Sequence, residues 1–96
     1  MTATFDANVT AGNITVTSAQ MQQSVLIRAI NATPVGRTVT LPDVARVVLL
    51  HNNGANTQSV EFIRGTTTLT LILGQTVIAR LDGTANGLVS LLRGTG

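Results

Sequence analysis

The chain has no cysteine, lysine, tyrosine or tryptophan. Without cysteine there is neither a disulfide framework nor a thiolate ligand for structural zinc. A single histidine, His51, and four scattered carboxylates, Asp6, Asp43, Glu61 and Asp82, predict no metal centre and no cofactor. Phe5 and Phe62 are the only aromatics, too few for the stacking platforms of a single-strand nucleic-acid binder. Charge is scarce as well: 10% of residues are charged, against about 25% in average soluble domains. The six arginines, Arg28, Arg37, Arg46, Arg64, Arg80 and Arg93, are spread singly and form no basic stripe, which argues against nucleic acid as a partner. No apolar run approaches the roughly 18 residues of a membrane helix, so no membrane is expected as a partner. Met1 is followed by the polar stretch Thr2 to Asn8, so no secretory leader is predicted and folding in a cytosol is expected.

What the chain does have is threonine, sixteen times in 96 residues, within short apolar segments punctuated by Gly, Asn and Pro. Turn signals recur about every 8–12 residues, the spacing of an all-β sandwich or barrel. The expected fold is one small antiparallel β-sandwich, or a jelly roll or barrel, of about eight strands. Residues 1–23 are expected to form an extended N-terminal arm with the first strands, and residues 24–93 the core. Within the arm, Ser18 to Gln23 reads as a bend or a single helical turn capped by Ser18. Turns are expected at Asn31 to Gly36, at His51 to Asn56 and at Asp82 to Gly87, with Gly74-Gln75 closing a two-residue hairpin. No exact internal repeat is visible, and residues 93–96 read as a frayed tail.

Three strands carry the functional argument. Residues 25–30 place Val25, Ile27 and Ala29 on one face and Leu26, Arg28 and Ile30 on the other. Residues 44–50 place Ala45, Val47 and Leu49 against Val44, Arg46, Val48 and Leu50. Residues 77–81 place Val77, Ala79 and Leu81 against Ile78 and Arg80. Each has one wholly apolar face and a second that is apolar apart from one arginine, whereas a solvated sheet surface alternates with polar residues. One account keeps both faces inside a monomer with arginine at the rim. The other makes the arginine-bearing face a subunit interface, formed by Arg28, Arg46, Arg80, Leu26, Ile30, Val48, Leu50 and Ile78. Arginine is enriched at interfaces while lysine is depleted there. The missing lysines agree with this, because exposed β edges are commonly blunted by lysine. A homo-oligomer is therefore expected.

No catalytic constellation is visible. His51 at a strand end before Asn52 reads as a turn residue, although Asp43 or Asp82 could approach it. Asp82-Gly83-Thr84 with Asn86 offers one carboxylate, too little charge for a good calcium site. The sequons Asn8-Val9-Thr10 and Asn13-Ile14-Thr15 lack a compartment for their use if the chain stays in a cytosol.

Leu41-Pro42, the run Val47 to Gly54, Val60-Glu61-Phe62, Gly74 before Thr76 to Arg80, and Asp82-Gly83-Thr84 together resemble small β modules of tailed-bacteriophage virions. The resemblance covers about half of the chain. It implies a non-enzymatic viral structural protein, a capsid decoration or cement protein that bridges subunits of the major capsid protein. It further implies a trimer on the capsid surface of the virion, assembled in the host cytoplasm. The alternative it carries is a trimeric tail-fibre or spike module binding host glycan at a shallow polar site around Asn52, Asn53, Asn56 and Asn86. Asn52, Asn53, Gly54 and Asn56 are the candidate partner-binding loop.

Overall fold

The structure, a computed structural model, describes residues 2–10, 12–32 and 36–94. Thr33, Pro34 and Val35 of the turn expected at 31–36, and the tail residues Thr95 and Gly96, lie outside them. In chain order the elements are β1 (Thr2–Asn8), β2 (Ile14–Thr15), α1 (Ser18–Gln23), β3 (Ser24–Ile30), β4 (Arg37–Thr40), β5 (Arg46–Asn52), β6 (Val60–Arg64), β7 (Thr67–Leu71), β8 (Thr76–Leu81) and β9 (Leu88–Gly94). They form two sheets, one ordered β1-β3-β5-β8-β9 and the other β2-β4-β6-β7. The all-β expectation holds.

Strand direction departs from the antiparallel expectation. β1, β3 and β5 run parallel to one another, as do β2, β4 and β6, while β5–β8, β8–β9 and β6–β7 are antiparallel. From β1 to β6 the chain alternates between the sheets at every strand, so it winds as three successive coils. Thr2 lies beside Ser24, Leu26 beside Leu49, Arg37 beside Val60 and Ile14 beside Val39, which sets the coil at 22–25 residues. After β6 the winding reverses. β7 folds back on β6 through Gly65-Thr66, and β8 and β9 complete the larger sheet, β8 antiparallel to β5 and β9 antiparallel to β8.

The core lies between the sheets and follows from strand alternation. Phe5, Ile27, Leu50 and Val77 stand in one cross-strand row of the larger sheet, and Ile14, Val39, Phe62 and Leu69 in one row of the smaller. Of these, Ile27, Leu50, Val77, Val39 and Phe62 are fully buried. Small side chains, Ala7 beside Ala29, occupy the edge of the sheet where the coils turn. Near-continuous apolar strands are the signature of parallel pairing covered on its faces.

The described part of residues 1–23 carries the first strands and packs into the fold. β1 pairs along β3, and Ala7, Val9, Val16 and Met21 are all in the core. α1 is capped one residue earlier than expected. The Thr17 hydroxyl accepts from the Gln20 amide at 3.1 Å while the Gln20 side chain accepts from the Thr17 amide at 2.9 Å, a reciprocal box. Gly74-Gln75 is a corner between sheets and not a hairpin, because β7 belongs to one sheet and β8 to the other. Of the expected frayed tail, Arg93 and Gly94 are the last residues of β9.

Candidate interaction face and the asparagine corner

The outer faces of the two sheets differ in chemistry. On the smaller sheet, Thr15, Thr40, Ile63 and Thr68 form one cross-strand row and Thr38, Glu61 and Thr70 a second. That is the polar alternation of a solvated surface. On the larger sheet, Thr4, Leu26, Leu49, Ile78 and Leu92 stand in register across all five strands. Leu92 is 64% exposed, and Val47 and Val89, which flank Arg80 in the adjacent row, are 52% and 48% exposed. Leu91, placed by the irregularity between Ile78 and Ala79 pairings, is exposed as well.

A polar row bounds this apolar strip. Asp6, Arg28, His51 and Thr76 are neighbours across β1, β3, β5 and β8. The Arg28 Nε donates to Asp6 Oδ1 at 2.8 Å, and this bond, with the carboxylate's charge, raises the guanidinium's pKa. His51 Nδ1 and Thr76 Oγ1 are 2.9 Å apart. On the opposite side of the strip Arg80 is exposed.

The predicted interface residues divide accordingly. Leu26, Arg28, Ile30, Ile78 and Arg80 point outward from the larger sheet as expected. Val48 and Leu50 do not: they are buried in the core, 2% and 0% exposed, because in β5 the outward positions are Val47, Leu49 and His51. Arg46 shares the parity of Val48, but it stands at the start of the strand, where its guanidinium reaches the rim. There it donates to the Met21 carbonyl near the end of α1 and to its neighbour's carbonyl, Val47 O. Val47, Leu49, Val89, Leu91 and Leu92, which the sequence reading did not place on the arginine-bearing face, also lie on the outside of the larger sheet. The signal for β9 was present in the run Leu88-Val89-Ser90-Leu91-Leu92, which is apolar at consecutive positions and cannot bury both sides.

The loop proposed for partner binding is instead mostly structural. Asn52 and Asn56 are buried, 0% and 3% exposed. Asn52 Nδ2 donates to the carbonyls of Gln58 (3.1 Å) and Leu71 (2.9 Å), tying β5 to the smaller sheet. Asn56 Nδ2 donates to the Ala29 carbonyl (2.9 Å) and to Asn52 Oδ1 (2.6 Å), and Asn56 Oδ1 accepts from the Ala32 amide (3.0 Å). Asn53 is half-buried and Gly54 exposed, so only these two present themselves to solvent.

His51 has Thr76 as its neighbour, while Asp43 lies 3.5 Å from Arg64 and Asp82 accepts from Thr84. The carboxylates considered for His51 are thus engaged elsewhere. A surface depression of about 220 Å³ is lined by Gly36, Arg37, Thr38, Ser59, Glu61 and Thr70, with one carboxylate and one guanidinium but no imidazole. Among the described residues no three of His, Cys, Asp or Glu cluster as metal ligands would. Comparison of the chain with protein-family models, curated proteins and solved structures gives no match.

Proposed function

We propose that the chain is a non-enzymatic structural protein that works by packing the outer face of its larger sheet against other polypeptides. The observation that carries this reading is the in-register strip Leu26, Leu49, Ile78 and Leu92 with exposed Val47 and Val89 beside it. A contiguous apolar patch with a polar border marks an interaction surface. The setting drawn from the virion resemblance is the exterior of a phage capsid, with copies of the chain, most simply a trimer, seated on the major capsid protein.

Size supports many weak contacts in place of one strong one. Five strands about 4.8 Å apart and some 20 Å long offer roughly 450–500 Å², well short of the ~800 Å² per partner of a standard interface. A module with so small a face gains by repetition on a shell, where each added contact is intramolecular in effect. Bound copies then stabilise the assembled shell by mass action.

Sedimentation or light scattering across a concentration series tests the self-contact. The wild-type chain is expected to associate and a Leu92→Asp chain to remain monomeric. A wild-type chain that stays monomeric up to ~1 mM, where association would be worth only about 4 kcal/mol, and that does not bind phage shells, overturns the reading.

A further inference from the structure

We infer that Asn53-Gly54 is a site of spontaneous backbone-mediated deamidation, and that the other Asn-Gly pair, Asn86-Gly87, is protected by the fold. The reaction needs three things: an asparagine amide free to be attacked, a following backbone nitrogen free to attack, and no side chain on that following residue to obstruct it. Asn53 supplies the first. Its side chain makes no hydrogen bond to any described residue, although its backbone is held by Asn53 N–H donating to Ala29 O (3.1 Å) and Asn53 O accepting from Asn56 N–H (2.9 Å). Gly54 supplies the others. Its N–H has no acceptor among the described residues, it is exposed, and the space a Cβ would occupy is open to 4 Å.

Asn86-Gly87 has the same composition and the opposite environment. Asn86 Oδ1 accepts from the Thr66 amide at 2.6 Å, and the Gly87 amide donates to Thr84 O at 3.4 Å. Gly87 is also packed against the Asp82 carboxylate and the Thr84 hydroxyl. The electrophile is held and the nucleophile is occupied.

The chemistry balances with water as the only reactant. The Gly54 amide nitrogen, losing its proton to solvent, bonds to Asn53 Cγ; the Cγ–Nδ2 bond breaks and ammonia leaves, giving a cyclic imide. Water then opens the ring at either carbonyl. Attack at Cγ gives aspartate; attack at the main-chain carbonyl gives isoaspartate, with the backbone rerouted through the side chain. Either product lowers the formal net charge of +2 by one at neutral pH. The isoaspartyl product also inserts a methylene into the main chain between Asn53 Cα and the peptide link to Gly54, and turns the carbonyl that accepts from the Asn56 amide into a free carboxylate. The turn carrying buried Asn56 then loses its register, so modification loosens the asparagine corner as well as charging it.

Peptide mapping by mass spectrometry of the full chain, incubated folded and in denaturant at mildly alkaline pH in isotopically heavy water, tests this. In denaturant the two sites are expected to convert at similar rates. In the folded chain the ratio of Asn53 to Asn86 conversion is expected to rise about tenfold or more, each tenfold being ~1.4 kcal/mol of barrier. A folded-state ratio no larger than that of the denatured chain overturns the inference. An Asn53→Gln chain, whose longer side chain closes the ring poorly, is expected to lose the early charge variant on ion exchange.

Discussion

Asn56 donates its side-chain amide to the Oδ1 of Asn52 at 2.6 Å, and both side chains are withdrawn from solvent. Their remaining polar atoms close on Ala29 O, Ala32 N, Gln58 O and Leu71 O, so a single pair serves two strands and two loops. No buried side-chain nitrogen or oxygen among the described residues is left without a partner. Removing Asn56 leaves the buried Ala32 amide and Asn52 Oδ1 unmet, whereas the intact network is stabilising in a low-dielectric interior. Asn56→Ala is expected to lose about 2–4 kcal/mol. Urea denaturation checks it, with a lower midpoint and an unchanged slope if the native state stays compact.

Gly65 stands at φ 59° in the β6–β7 turn, and a Cβ there would collide with Ala85 O and Asn86 Oδ1. Gly65→Ala combines left-handed strain with overpacking and is expected to cost about 2–3 kcal/mol. Gly54→Ala, at an open position without positive φ, is expected to be neutral within about 0.5 kcal/mol. Parallel thermal melts of the two variants separate the effects.

Val47→Lys and Leu92→Lys place charge in the outer strip without disturbing the core. Each is expected to change stability by less than about 0.5 kcal/mol, as exposed substitutions usually do. Self-association by sedimentation is expected to disappear. Thr70→Lys, on the opposite face, is expected to leave it intact.

Asp82 accepts from the Thr84 hydroxyl at 2.6 Å and the Thr84 amide at 2.9 Å, and these bonds hold its carboxyl pKa below the ordinary 3.8, aided by nearby Arg80. A folded pKa below the unfolded one gives a contribution that is complete above about 3.8 and lost as pH falls through the lower folded value. Melting temperature followed from neutral to strongly acid pH is therefore expected to decline less steeply at the acid end for Asp82→Asn than for the wild type. The two curves are expected to be parallel above the ordinary carboxylate range.

Arg28 and Asp6 form a charged pair whose side chains are 38% and 44% exposed. An exposed pair of this kind contributes little, so a double-mutant cycle with Arg28→Met and Asp6→Ala is expected to give a coupling close to zero that falls further in high salt.

Alternation with a period of two was readable in residues 25–30 and 77–81, where the arginine-bearing face is the outer one. It failed at residues 44–50 because both parities carry a single polar group near one end, Arg46 on one and His51 on the other. The long reach of arginine lets an inward position vent at the rim, so parity could not be settled by charge. The parallel winding was hidden for a different reason. Short turns read equally well as hairpins or as corners, and only partner identity distinguishes them. A trace of the coil was present in Asn8, Asn31 and Asn53, which recur at nearly the coil spacing and fall at strand ends. Asn31, at φ 66°, takes the left-handed backbone that asparagine tolerates, and its side chain donates to Asn8 Oδ1 at 3.1 Å. Thr-rich outer rows masked that signal, because threonine suits any exposed strand position. The outer strip was half legible, since β3 and β8 disclosed it and β9 was given no role.

Because each circuit of the chain rests on the one before it with a nearly constant stride, the molecule's height is counted in whole circuits. A graft of roughly one further circuit between β3 and β4 would lengthen both walls by a single strand each and leave the reversed closing strands to seal the top, as stacked-repeat architectures allow. An insertion of half that length would turn the following strand into the wrong wall, and the barrel of contacts above it would have nothing to stand on.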